Sequence, residues 1–349
     1  MIYFCRYAKI SPYIHISKIN DVKGVCMATI KDVARISGVT VTTVSRVLNN
    51  RGYISDITRK KVHAAMEELN YQPNEIARSL FRRKSNFIGL IIPNVAHPFF
   101  GEITSYIEYY AYKAGYKILI CNSYQDSVKE KDYVQMLKRN QVDGIIMGSH
   151  TLDTSDYLTP TLPIVAIDRT LSQGIPFVTS DNYKGGILAT NLLIDRGCKR
   201  LAHISGPLEL NTPANKRYEA FIEVVTERKI DYVIKQAKLD IFESYEKLII
   251  KLLSEYPDID GIFASSDMIA ASIIHVASLI GKNIPEDLKI VGYDDINLAS
   301  LIVPTLTTIK QPIKQMGELA VKILIDQIEG KVVEMENVLP INLIERKTT

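Results

Sequence analysis

Thr40, Val41, Thr42, Ser45 and Arg46 form a short, mostly polar set with one guanidinium, the side-chain chemistry that reads base edges in the major groove of DNA. They can do so only if one helix face carries them together. Residues 40–48 allow that: Thr40 can cap a helix whose Val44, Val47 and Leu48, at i, i+3 and i+4, turn inward and leave the polar set outward. A first helix before it is capped by Thr29, with Asp32 three residues on to favour the positive N-terminus, and takes apolar contacts from Val33, Ala34 and Ile36. Gly38 permits the tight turn between the two. Residues 29–48 thus read as a helix-turn-helix, and residues 55–69 as a third helix capped by Ser55, with Val62, Ala65, Met66 and Leu69 on one side.

A plain helical bundle with solvated polar faces would share that periodicity. Charge favours the nucleic-acid reading. Residues 27–84 hold 11 lysines and arginines against 5 acids, a net +6, whereas the whole chain carries only +3. Basic charge concentrated on the motif is what a phosphate-binding surface requires. After Gln72-Pro73, Asn74 can cap a two-turn helix with Ile76, Ala77 and Leu80 on one side. It is too short to be stable alone, so its simplest reading is a linker packed on the head.

From residue 85 the pattern changes to apolar runs alternating with amphipathic stretches. Strands are expected at 87–92, 117–121, 144–148, 164–167, 201–205, 261–264, 289–292 and 306–310. Helices are expected, for example, at 100–114, 129–140, 183–196, 215–226, 244–256 and 268–280. Such alternation means an α/β protein with parallel sheets. Some 265 residues exceed one ordinary domain, which implies two lobes and a ligand cleft at the carboxyl ends of the strands.

Several classes have no support. Cys5, Cys26, Cys121 and Cys198 show no CxxC or Cys/His spacing for a metal, and no phosphate-binding glycine motif is present, so neither metal nor cofactor is expected. A free-standing solute-binding protein would leave the basic head unexplained. An enzyme acting on a sugar would need a nucleophile-base pair or metal set, and none is visible. Residues 1–26 are interrupted by Arg6, Lys9, Pro12 and His15, so they suit neither a signal peptide nor a membrane span. Lys23-Gly24-Val25-Cys26 can be encoded so as to put a ribosome-binding sequence just before the Met27 codon. The expectation is that Met27 is the natural start and residues 1–26 a translated leader.

The run TIKDVARISGVTVTTVSRVLNNRGYIS, followed by NYQPNEIARSL, resembles the head and hinge of the lactose/galactose repressor family over some 50 positions. The resemblance implies that Thr40, Val41, Thr42, Thr43, Ser45 and Arg46 lie in or at the edge of the major groove of double-stranded operator DNA, with Asn49, Tyr53, Ser55 and Thr58 flanking it or touching phosphates and Thr29 also among the DNA-binding residues. It also implies that the helix bearing Asn74, Ala77 and Leu80 is a hinge ordered only on DNA and paired with its twin from a second subunit. Leu80 would be its minor-groove wedge, and Arg82, Arg83 and Lys84 would lie near phosphates. Val41 and Thr42 occupy positions that vary with operator sequence.

The larger part is similar to the same family's sugar-binding core and to periplasmic sugar-binding proteins, through HPFF at 97–100, IDRT at 167–170, SDNYKGG at 180–186, NKRYEAF at 215–221, SSDMIA at 265–270, VGYDD at 291–295 and TTIKQP at 307–312. A sugar needs paired donors and acceptors for vicinal hydroxyls and aromatic faces for its C–H surface. The resemblance implies Asp168, Arg169, Arg217, Asp294 and Gln311 for the first and Phe99, Phe100 and Tyr293 for the second. Each has a plainer reading as core aromatic, surface ion pair or solvated turn. His97 and Ser266 stand where pentose-binding relatives often have asparagine. Segments such as PNEIARSLFRR and KNIPEDLKIVGYDDI resemble the ribose operon group, and residues 120–150 also resemble the sucrose operon group.

Together these readings predict a helix-turn-helix head over 27–73, a hinge helix and linker over 74–84, and a two-lobed, periplasmic-binding-protein-like core of doubly wound parallel sheets over 85–349. The expected function is a cytoplasmic, homodimeric or tetrameric repressor. Its effector would be ribose, a related pentose or its phosphate; fructose, sucrose or a phosphoprotein corepressor are the alternatives.

Overall fold

The structure is a computed structural model in which residues 28–72, 84–149, 162–171, 174–209, 212–237 and 245–349 are described. Contacts divide the chain into two compact units, one before residue 82 and one from it. Residues 1–26, the expected hinge with Asn74, Ala77 and Leu80, and Arg82 and Arg83 lie outside the described residues.

In the first unit, helices α1 (Ile30–Ser37), α2 (Val41–Leu48) and α3 (Asp56–Glu68) close on a small core of Val33, Ala34, Val44, Val47, Val62 and Ala65. Met66, Leu69 and Leu48 pack against it. The caps are those the residue types suggest. Asp32 accepts from the Thr29 amide (3.0 Å) and hydroxyl (2.7 Å), Thr40 Oγ1 accepts from the Thr43 amide (3.2 Å), and Ser55 Oγ from the Thr58 amide (3.3 Å). Gly38, at φ 68°, ends α1 in the left-handed conformation that the turn requires. Ile36 departs from expectation: it is exposed, because the buried stripe of α1 runs through Val33, Ala34 and Ser37, and Ile36 lies beyond its edge.

The second unit has two lobes. The first lobe's sheet has the order β11-β5-β4-β3-β1-β2, with β1 (Phe87–Ile92), β2 (Lys117–Asn122), β3 (Gly144–Met147), β4 (Ile164–Ile167), β5 (Phe177–Ser180) and β11 (Glu336–Leu339), all parallel. The second lobe's order is β12-β10-β9-β8-β6-β7, with β6 (Arg200–Ser205), β7 (Asp231–Gln236), β8 (Gly261–Ala264), β9 (Lys289–Asp294), β10 (Thr307–Lys310) and β12 (Asn342–Ile344). Only β12 pairs antiparallel. Helices α4 (Pro98–Lys113), α5 (Ser127–Arg139), α6 (Asn182–Asp195), α7 (Asn215–Arg228), α8 (Glu246–Glu255), α9 (Asp267–Leu279) and α10 (Ile313–Ile328) cover the sheets.

The central strands are fully buried, apolar runs such as Ile88–Ile92 and Gly261–Ala264, as a sheet covered on both faces demands. The sequence reading leaves out β5, β7, β11, β12 and α10. Strand β7 is a half-exposed edge without a clear apolar run, and β5 (FVTS) and β11 (ENVL) lack the continuous apolar run that marks β3, β4 and β8. The chain passes between lobes three times, after β5, after β10 and after β11, because α10 and β11 return to the first lobe and β12 to the second. These passages carry Ser180 and Gln311 into the site.

Candidate functional site

In the head unit, α2 presents Thr40, Val41, Thr42 and Arg46 to solvent, with Thr43 and Ser45 half-buried beside them. Asn49 is tied back to α2, its Nδ2 donating to the Ser45 carbonyl (2.9 Å). Tyr53 is wholly exposed, Thr29 and Ser55 are exposed, and Thr58 is half-buried. Arg35, Arg51, Lys60 and Lys61 are exposed in the same unit, so the surface of the head carries positive charge.

In the second unit, a cavity of about 130 Å³ lies where the strands of both lobes end, well above the ~10–15 Å³ a single water occupies. His97, Phe99 and Phe100 enter it from the start of α4, Asp168 from the end of β4, Arg217 from α7, Ser266 from the cap of α9, Asp294 from the end of β9 and Gln311 from the passage after β10. Phe99 and Phe100 meet edge to face at 5.1 Å between centroids, and His97 meets Phe100 at 5.7 Å. The structure brings these eight residues together.

Arg169 and Tyr293 stand apart and do not line the cavity. Arg169 is buried elsewhere in the first lobe, bonded to the Ser149 carbonyl and hydroxyl (3.0 Å to Oγ) and 3.3 Å from Glu130. A fully buried carboxylate at Glu130 needs a cation, and Arg169 supplies it. Tyr293 is fully buried as the platform under Arg217, whose guanidinium lies 3.5 Å from the ring centroid.

The charged centre is held by residues that composition and spacing did not single out. Arg217 Nε donates to Asn182 Oδ1 (2.6 Å) and Nη1 to the Ser265 carbonyl (2.7 Å), with Nη2 3.9 Å from Asp168. Asn182 Nδ2 donates in turn to Thr179 Oγ1 (3.1 Å) and the Ser180 carbonyl (3.0 Å), while Thr179 Oγ1 donates to Asp168 (2.7 Å). A second chain crosses between lobes: Ser180 Oγ donates to Gln311 Oε1 (2.7 Å), and Gln311 Nε2 donates to Asp294 Oδ1 (2.7 Å). Asp294 sits at φ 117°, a conformation that L side chains rarely adopt, so its neighbours over-determine its position. The SDN triplet ending β5 was the available signal for Ser180 and Asn182.

Electrostatics follow from burial. Burial pushes the Asp294 carboxyl up to about 7, against the opposing pull of Arg217 and the Gln311 hydrogen bond. Burial also holds His97 and His203 neutral, each lowered to about 4. His203, on β6, lines the same cavity and bonds through Nδ1 to the Phe263 carbonyl (2.9 Å).

Tyr293 needs room that only glycine leaves. A Cβ at Gly185 in α6 would lie 2.5 Å from the Tyr293 hydroxyl and 2.7 Å from Cε2. Gly185→Ala is therefore expected to lower stability by ~1–3 kcal/mol, overriding the helix-propensity gain of up to ~1 kcal/mol. Thermal melting checks this; an unchanged or raised midpoint would show that the ring moves aside freely.

Comparison with known proteins agrees with both halves. The model for bacterial regulatory proteins of the lacI family matches residues 29–74, and that for the periplasmic binding protein-like domain matches residues 190–349. The chain is 44% identical over 324 residues to a ribose operon repressor of Halalkalibacterium halodurans, covering 93% of this chain and 97% of that one. It is 42% identical over 318 residues to a sucrose operon repressor of Streptococcus mutans, covering 91% and 98%. A periplasmic binding protein/LacI transcriptional regulator from Alkaliphilus metalliredigens, solved with D-xylulofuranose, superimposes with a TM-score of 0.70 at 32% identity, over 76% of this chain and 99% of that one. A capped helix-turn-helix joined to a two-lobed core with a cavity at its strand ends, and these identities across nearly the whole length, place the chain in the lacI family of bacterial regulatory proteins.

Proposed function

We propose that the protein is a cytoplasmic, homodimeric transcriptional repressor of a carbohydrate operon and not an enzyme. Its heads bind a near-palindromic operator, and a small sugar in the core cavity controls it. The observation that carries this reading is the cavity itself, where Asp168, Arg217, Asp294 and Gln311 converge with Phe99 and Phe100. Carboxylate and amide groups suit vicinal hydroxyls, and the rings suit the C–H face of a sugar. The domain limits are taken as 27–73 for the head, 74–84 for the hinge and 85–349 for the core.

Ribose or a related pentose is the first candidate effector, supported by the ribose operon repressor relative and by the five-carbon ligand of the Alkaliphilus protein. Sucrose or fructose is the second, supported by the sucrose operon repressor relative at nearly the same identity. Sugar binds better to one arrangement of the lobes and so shifts operator affinity. Such coupling is typically ~1–3 kcal/mol and reciprocal between sugar and DNA. No helix among the described residues is long and apolar enough to cross a membrane.

Gel-shift binding to DNA upstream of the gene and of neighbouring sugar genes tests the reading, with ribose, ribose 5-phosphate, fructose and sucrose added in turn. Specific binding released by one sugar is expected; no specific binding to any such DNA would refute it. Arg46→Ala should cost ~1–3 kcal/mol on the specific site. Equal losses on specific and random DNA would make Arg46 a phosphate contact and not a base reader.

A further inference from the structure

Among the described residues lining the cavity, two buried side-chain atoms, Ser205 Oγ and His97 Nδ1, have no hydrogen-bond partner. Ser205, the last residue of β6, is 2% exposed, lines the cavity, and its Oγ makes no hydrogen bond among the described residues. Three other hydroxyls nearby are engaged: Ser266 Oγ caps α9 through the Ile269 amide (3.3 Å), Ser180 binds Gln311 and Thr179 binds Asp168. A buried hydroxyl left unpaired is unfavourable, so one retained at a cavity wall is suited to a group that arrives with a ligand. His97 Nδ1, on the opposite lobe's wall, is also buried without a partner.

The sheet order gives the size of what would fit. Strands β9, β8 and β6 are neighbours, and the pairings Ile204 with Ala264 and Phe263 with Val291, continued by one and by two residues respectively, set Ser205 level with Ser265 and Tyr293, the residue before Asp294. Two strand spacings separate Asp294 from Ser205, about 10 Å. A single sugar ring with a hydrogen bond at each end, each adding ~2.8 Å, spans a similar distance. The ring would lie over the end of β8, where Arg217 is already fixed to the Ser265 carbonyl.

Charge gives the class. Among the described lining residues Arg217 is the one permanent cation, already committed to Asn182, Ser265 and Asp168, while Asp168 and Asp294 supply two carboxyl groups. Both lining histidines are held neutral by burial. A phosphate dianion would meet acids and no uncommitted cation.

We propose that the effector is an uncharged, single-ring sugar lying over the end of β8 and that Ser205 is a specificity residue bonding one of its hydroxyls; this rests on the sugar-controlled reading above.

Calorimetry on the full chain with ribose, fructose, sucrose and ribose 5-phosphate tests it, alongside the gel shift with the same four. Ribose or fructose is expected to bind at least ~100-fold more tightly than ribose 5-phosphate. Ser205→Ala should weaken that sugar about tenfold, the size of one neutral hydrogen bond. Because the deleted hydroxyl has no partner, the sugar-free melting midpoint of the variant should equal or exceed that of the parent. Unchanged sugar affinity in Ser205→Ala overturns the assignment of Ser205. Preference for ribose 5-phosphate or sucrose, with operator release, overturns the uncharged single ring and leaves the sugar-controlled repressor standing. Intact operator binding with no binding or release by any of the four overturns both.

Discussion

Arg217→Ala is expected to abolish the sugar response and to destabilise the core by ~3–5 kcal/mol, the usual result of removing one partner from a buried charged network. Arg217 and Asp168 are each 5% exposed, so neither is relieved by solvent. The substitution strips Asn182 Oδ1 and the Ser265 carbonyl of their donor, removes the cation nearest Asp168, and uncovers the Tyr293 ring. Arg217→Lys should not rescue it, since an ammonium cannot serve two divergent acceptors while stacking on a ring. For a core of this size the melting midpoint should fall by roughly 10 °C. Operator binding without sugar should persist at low temperature, because the head folds around its own core. A midpoint within 2 °C of the parent, or retained release by sugar, would remove Arg217 from the centre of the site.

Asp294→Asn should change how stability depends on pH. The folded carboxyl titrates near 7 and an unfolded aspartate near 3.9, so the native state binds this proton more tightly. The stabilisation is fully present below about pH 4 and is lost as pH rises through 7, an effect on the order of 4 kcal/mol. Asparagine cannot ionise, so relative to the variant the parent should lose stability from pH 5 to 8 and then run parallel. Asp267, also pushed up by burial and then by the Asp294 charge, acts in the same direction. His97 and His203, pushed down, act the other way, stabilising above about 6.5 and losing that contribution as pH falls. The two histidine terms are shared by both proteins, whereas Asp267 loses the Asp294 charge in the variant, so the difference between their melting midpoints reports Asp294 together with the part of the Asp267 shift that Asp294 causes. Midpoints that differ by a constant across pH 5 to 8 would show that the carboxyl is ionised throughout. Sugar binding should be lost in the variant, which keeps the shape but not the acceptor strength of the carboxylate.

Both effects arise where the lobes are joined. Ser180, Gln311 and Asp294 form a hydrogen-bonded series from the end of β5 through the passage after β10 to the end of β9. A ligand that competes for Gln311 or Asp294 acts on the same atoms that link one lobe to the other. That gives a physical basis for two lobe arrangements with different sugar affinities.

The helix-turn-helix was legible because every decision in it is local. Thr29, Thr40 and Ser55 each find their capping partner three residues away, and Gly38 makes its turn with no outside help. The core strands were legible for a related reason: strands buried on both faces must be apolar throughout, and β1, β3 and β8 are. Resemblance then drew Asp168, Arg217, Asp294 and Gln311 from segments far apart in the chain, and the cavity holds all four.

What the chain alone determined is therefore local: capped helices, the glycine turn, the concentration of basic charge on the head, and the α/β alternation that puts loops at strand ends. Only tertiary structure decided which neighbouring polar residue faces the cavity. Arg169 follows Asp168 directly, yet it pairs with a fully buried Glu130 and does not line the cavity, and Tyr293, next to Asp294, becomes the support under Arg217. Asn182 gains its importance from Arg217, 35 residues away, and Ser205 stands out only because nothing around it among the described residues offers a partner. Pattern follows near neighbours, whereas the satisfaction of buried charge and hydrogen bonds is settled by whatever the folded chain brings within 3 Å.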